Sequence, residues 1–184
     1  MSSFFRIHSG GVVRNGLGVL LVGPSGSGKS TLVVRLVMDG FSLLSDDEVW
    51  IDPESLLLHP NPRYLLLKES AWDLFPDYRD KFVRTEEKDR RSWWLHSQDL
   101  RPGCRAVPTP LWGLICLKPR LGNHPSLQEI GQTEALNHIV RECMNFSCDV
   151  RLSVLVKIVN TARLFTLNIG DLNQCAVLLS RVLP

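Results

Sequence analysis

The stretch LLVGPSGSGKSTLVVRL, Leu20 to Leu36, constrains this chain more than any other feature. An apolar run ends at Gly23, a short glycine- and serine-rich segment follows, and apolar residues at helical spacing begin after Lys29. Gly23, Gly28, Lys29 and Ser30 occupy the fixed positions of the G-x-x-x-x-G-K-[ST] pattern in the context that pattern requires. Glycines allow the backbone to aim successive N–H groups at phosphate oxygens, and the following helix adds the positive end of its dipole. The pattern predicts a phosphate-binding loop built from Gly23, Pro24, Ser25, Gly26, Ser27, Gly28, Lys29, Ser30 and Thr31. Lys29 would reach the outer phosphates and the Ser30 hydroxyl would ligate magnesium, so ATP and Mg2+ are the expected cofactors, with GTP not distinguished. The competing reading is a plain glycine turn between a strand and a helix.

Composition sets the remaining bounds. At 184 residues with 44% hydrophobic content, residues 1–184 read as a single domain with a sizeable core. A formal net charge of +2 gives no reason to expect a nucleic-acid partner. Cys104, Cys116, Cys143, Cys148 and Cys175 are odd in number and contain no C-x-x-C pair, which reads as reduced thiols of a cytoplasmic protein. No apolar run is long enough to span a membrane, and MSSFFRIHSGG lacks the apolar core of a signal peptide.

Along the chain, the residues before the loop read as short strands, with RNG a hairpin signal. Leu32, Val33, Leu36 and Val37 share one helical face, and Gly40 stops that helix. FSLLSDDEVWID reads as strand, acidic turn, strand, and LLLHPNPRYLLLKE as two strand segments around a proline-marked turn. A short helix is predicted over Glu69–Phe75. Residues 77–92 are predicted to be a mobile charged loop, because ten of the thirteen residues from Arg79 to Arg91 are charged. LWGLICL, Leu111–Leu117, reads as a fully buried strand. The C-terminal third predicts helices over Thr133–Cys143, about Val150–Asn160 and Asp171–Leu183, with a strand over Arg163–Ile169 and Asp171 as an N-cap.

Asp46 and Asp47 end the strand that follows the loop helix. If that crossover is parallel, the strand end lies beside the phosphate loop. One carboxylate would then serve a metal and the other would accept the proton of an attacking hydroxyl. Because strand residues alternate in direction, only one of the two is expected to face the phosphate. An ordinary polar turn is the alternative.

The segment HSGGVVRNGLGVLLVGPSGSGKSTLVVRLVMDGFSLLSDDEVWID resembles the catalytic domain of HPr kinase/phosphorylase, especially the shorter HPr-kinase-related proteins of bacterial gene clusters. Three anchors carry the resemblance over Ile7–Asp52: His8 fifteen residues before Gly23, the loop itself, and the double aspartate beginning twenty-three residues after Gly23. The resemblance implies a P-loop-containing α/β fold akin to HPr kinase and phosphoenolpyruvate carboxykinase, a mixed β-sheet with flanking helices. It implies Asp46 as acid/base, Asp47 as a supporting carboxylate and metal ligand, Ser30 as a magnesium ligand, and His8 beside the phosphate site. The catalytic set expected is therefore Asp46, Asp47, Lys29 and His8, and the family's hexamers make a homo-oligomer an open expectation.

The chain also departs from that pattern. Thr31 stands where HPr kinase usually has glutamate, and the glycine-rich segment with its metal-binding glutamate has no counterpart. LLLKES stands there instead, which makes Lys68 or Glu69 a candidate, and Lys118 or Arg120 could contact phosphate. These departures count against HPr as substrate and against phosphorylase activity. Three functions remain: a kinase of a serine hydroxyl on a peptide or small protein, a nucleotide-dependent binding or assembly protein, and a small-metabolite kinase.

Overall fold

The computed structural model describes residues 4–61, 64–87, 90–118, 124–143 and 148–183. Its main element is a mixed sheet of nine strands, β1 (Phe5–His8), β2 (Gly10–Arg14), β3 (Leu17–Val22), β4 (Ser42–Ser45), β5 (Glu48–Ile51), β6 (Leu57–His59), β10 (Thr109–Lys118), β11 (Ser126–Glu129) and β12 (Arg163–Asn168). Three further strands, β7 (Leu65–Lys68), β8 (Val83–Glu87) and β9 (Arg90–Leu95), form a separate antiparallel sheet in the order β7-β9-β8. The helices are α1 (Lys29–Met38), α2 (Ser97–Leu100), α3 (Gln132–Arg141), α4 (Cys148–Thr161) and α5 (Leu172–Val182). No helix among the described residues is long and apolar enough to cross a membrane.

The near-continuous apolar runs of β3, β10 and β12 follow from burial on both faces of the sheet. Val19, Leu21, Ile115, Leu117, Phe165 and Leu167 face α1, α5 and the small sheet. Leu20, Val22, Leu114, Cys116 and Leu164, one residue out of step, face α3, α4, β1 and β5. Strand periodicity thus divides each run between two cores. Cys116 lies in the second of them, where burial pushes its thiol up to about 12.

Two turns fix how the chain enters and leaves the glycine-rich segment. Asn15 and Gly16, with φ of 48° and 78°, join β2 to β3 in a tight hairpin that puts Arg14 opposite Leu17. Both central residues need positive φ, which Asn-Gly tolerates. At the far end of α1, the N–H groups of Gly40 and Phe41 donate to Val37 and Leu36 carbonyls at 3.2 and 3.0 Å. These paired bonds close the helix, and Phe41 returns to the core beside Leu36. Leu32, Val33, Leu36 and Val37 are fully buried, each contributing about 1.5–3 kcal/mol, which anchors α1 under the sheet.

The crossover from β3 through α1 to β4 is parallel. β4 is antiparallel to β2, and β2 is antiparallel to β3, so β3 and β4 point the same way with β2 between them. Ser45 and Leu20 both lie opposite Gly11, so the C-terminal ends of β3 and β4 share one edge of the sheet.

The charged segment differs from its expected loop. Pro76–Lys81 is a short 3-10 helix, and Val83–Glu87 and Arg90–Leu95 pair as a β-hairpin whose tip, residues 88–89, lies outside the described residues. Composition misleads here because strand pairing is set by the backbone register, Glu86 across from Arg91 and Glu87 across from Arg90, which charge content along the chain does not reveal. Phe82 and Leu95 then anchor the two strands in the core. The helix predicted over Glu69–Phe75 is a 3-10 helix over Glu69–Leu74. The other predicted helices and strands are present, with small differences at their ends.

Candidate active site

The glycine-rich segment leaves β3 at Val22 and turns back on itself, the Ser27 N–H donating to the Pro24 carbonyl at 3.0 Å. Gly28, the residue before α1, has φ of 93°, and a Cβ there would stand 3.1 Å from Ile169 Cδ1. The positive φ favours glycine there, and a side chain would also make the Ile169 methyl give by a few tenths of an ångström. Lys29 is buried at the start of α1, and its ammonium donates to the Gly23 carbonyl at 2.5 Å and to the Pro24 carbonyl at 3.3 Å. Burial holds its pKa below the usual lysine value, while Glu142, Asp47 and Asp46 pull it back up.

Ser45 shapes the acidic turn. Its hydroxyl accepts the N–H groups of Asp47 and Glu48 at 3.3 and 3.1 Å, bending the chain out of β4 and into β5. Asp46 and Asp47 therefore sit on a bend rather than on a strand, and the expected alternation does not apply, because both line the same cavity. Their environments differ sharply. Asp46 is 6% exposed, accepts the Leu66 N–H at 2.7 Å and has the Ser30 hydroxyl beside it, while its Oδ1 has no hydrogen-bond partner. Burial raises its pKa from 3.8 to about 6, and the bonds from Leu66 and Ser30 oppose that rise. The Asp47 side chain is 79% exposed and lies 3.3 Å from His8 Nε2.

One cavity of about 300 Å³ collects most of the predicted residues: His8, Asp46, Asp47, and Ser25, Gly26, Gly28, Lys29, Ser30 and Thr31 of the loop. Gly23 and Pro24 instead supply carbonyls to Lys29, and the buried Ser27 hydroxyl has no hydrogen-bond partner. The opposite wall is formed by β7 and the adjoining 3-10 helix, through Leu66, Lys68 and Ala71. Lys68 reaches across to Ser25, Nζ to Oγ at 3.3 Å. The side chain of Glu69 and all of Arg120 lie outside the described residues, and Lys118 pairs with Glu134 at 3.2 Å away from the cavity wall. A smaller hollow of about 30 Å³ adjoins it, walled by Asp46, Asp47, Asn61 and Tyr64 among others, so the two aspartates line both spaces.

Sequence reasoning missed two contributors. The Leu66 N–H is a backbone group of an apolar strand and leaves no trace in residue type. Glu142, the C-cap of α3, approaches His8 with Oε2 3.7 Å from Nδ1, and it is remote from every motif.

Among the described residues, no three of His, Cys, Asp and Glu converge as a metal-holding group. What the site offers a magnesium ion is the Ser30 hydroxyl with the Asp46 carboxylate beside it and Asp47 on the same cavity wall. That sparse donor set fits a cation completed by water and phosphate oxygens. The positive-φ turn and the buried ammonium fit an anionic chain entering the cavity.

The site thus belongs to a mixed α/β protein with helices on both faces of its main sheet and a glycine turn sharing a cavity with two aspartates, one buried and one exposed. No protein-family model and no curated protein matches the chain. Among solved structures it is similar to the Hpr(Ser) kinase/phosphatase from Coxiella burnetii, with a TM-score of 0.45, 14% identity and 96% of each chain covered. No family is assigned to the chain.

Proposed function

We propose that this protein is an ATP- and magnesium-dependent kinase that transfers the γ-phosphate to a serine hydroxyl of a peptide or small protein. The observation that carries the reading is Asp46. A nearly buried carboxylate on the cavity wall, with one oxygen unpartnered and a pKa of about 6, is arranged as a proton acceptor at neutral pH. Its position on the wall shared by the large cavity and the small hollow suits a base between a phosphate donor and an entering hydroxyl.

Each residue has a definite task in this reading. The turn amides and Lys29 hold the outer phosphates, and Lys29 exchanges its carbonyl partners Gly23 and Pro24 for phosphate oxygens. Ser30 and a neighbouring carboxylate would hold magnesium, which when bound would neutralise phosphate charge. Asp46 takes the proton of the acceptor hydroxyl onto Oδ1 while Oδ2 stays fixed by the Leu66 N–H. Leu66, Leu67 and Ala71 limit water on that side of the cavity. The serine acceptor comes from the resemblance of Ile7–Asp52 to the HPr kinases, and a cytoplasmic location is the compartment in which ATP and reduced thiols meet.

The test is transfer of labelled γ-phosphate from ATP with magnesium to serine-containing peptides, to HPr and to free serine in parallel. Label on a peptide or protein serine that vanishes with Asp46→Asn is the expected result. Label on free serine alone would make the protein a metabolite kinase, and tight ATP binding with no label on any acceptor would make it a nucleotide-dependent binding protein.

A further inference from the structure

Glu142 breaks two local rules. Its carboxylate is only 10% exposed, and it caps the C-terminal end of α3, where the helix dipole disfavours a negative charge. A side chain kept in such a place needs a compensating partner, and residues that violate local preferences mark functional positions. The partner is His8. The Glu142 carbonyl accepts the His8 N–H at 2.9 Å, Ile7 and Cys143 form an antiparallel bridge beside it, and Oε2 lies 3.7 Å from His8 Nδ1. The other ring nitrogen, Nε2, is 3.3 Å from Asp47 Oδ1, and the Asp47 carbonyl accepts the Ser9 N–H at 3.0 Å. The imidazole is therefore flanked by carboxylates on both nitrogens, one nearly buried on α3 and one exposed on the cavity wall.

We propose that Glu142 is a positioning residue of the candidate active site: it fixes the His8 ring from behind, and the ring in turn holds the Asp47 carboxylate against the cavity. Backbone and side-chain contacts to the same histidine make the link stiff, since the ring cannot turn about its own axis without losing one carboxylate. Glu142 lies outside the cavity wall, and its contact with the cavity groups runs through His8. Its charge also bears on Lys29, where it is the largest of the carboxylate influences.

For its activity readout this inference rests on the kinase reading above; its structural readout does not. With nitrogen-15-labelled protein, the His8 ring resonances, assigned by their loss in His8→Asn, should move clearly in Glu142→Ala. In the transfer assay Glu142→Ala should lower kcat roughly tenfold, the scale of coupled neighbours, with KM for ATP within about twofold. Glu142→Gln, which keeps the shape, should recover part of the loss. In an Asp47→Ala background, Glu142→Ala should cost clearly less than it does in the wild type. Unmoved His8 resonances, an undiminished kcat, or an equal further loss in the Asp47→Ala background would overturn the proposal. If the wild-type protein transfers no phosphate, the kinase reading has failed by itself and the resonances alone decide whether Glu142 holds His8.

Discussion

Asp46→Asn is expected to inactivate the protein while making it more stable at neutral pH. The folded carboxyl has a pKa of about 6 against 3.8 without burial, so between these values the folded form keeps a proton that the unfolded chain has released. Stability therefore falls as pH rises through that window, and the whole penalty is present above about pH 6. A rise of that size corresponds to about 3 kcal/mol. Asparagine keeps the shape, can accept the Leu66 N–H and can donate to Ser30, yet carries no charge to desolvate. For a domain of this size 1 kcal/mol moves Tm by about 2–4 °C, so the variant should melt roughly 6–12 °C above wild type at pH 7.5. The difference should shrink towards zero by about pH 4, where the folded wild type is also protonated. Calorimetric melting across pH 4–8, paired with the transfer assay, reads both effects; transfer should drop by roughly a hundredfold. A variant less stable than wild type at pH 7.5, or a gain that does not change with pH, would refute the argument that burial raises the Asp46 pKa.

Three other outcomes are expected from the same geometry. Transfer by the wild type should rise with pH through about 6 as Asp46 ionises, and this limb of the pH–rate profile should be read at saturating ATP. Gly28→Ala should weaken ATP binding at least tenfold by fluorescence titration, because the new Cβ meets a positive φ and the Ile169 side chain together. Asp171→Ala should cost about 1 kcal/mol in urea unfolding, since its carboxylate caps α5 by accepting the Gln174 N–H at 2.9 Å, and transfer should be unaffected.

Much of the framework was legible because it rests on local rules. The Asn15-Gly16 hairpin, the stop after α1, the Asp171 cap and the buried run of β10 each follow from residue type and period. The cavity was legible where the chain itself brings groups together, from His8 through the glycine turn to Asp47. The features that escaped depend on distant pairing. The β8–β9 hairpin reads as loop because its charged run carries no apolar alternation, while its backbone pairs across strands. β11, with Ser126–Glu129 set against β12, carries too short a pattern to detect. Leu66 enters the site through its backbone, and Glu142 through a contact with a residue more than a hundred positions away. Neither has a signature in composition or spacing.

The central claim is that the space between the glycine turn and β7 holds a nucleotide triphosphate, and calorimetric titration of ATP with magnesium into wild type and Lys29→Ala tests it most directly. Wild type should bind one ATP per chain, and loss of the buried ammonium should weaken binding at least tenfold, as expected for charge-assisted contacts of about 1.5–3 kcal/mol. Equal affinity in the two proteins, or no heat from ATP with wild type, would contradict the account.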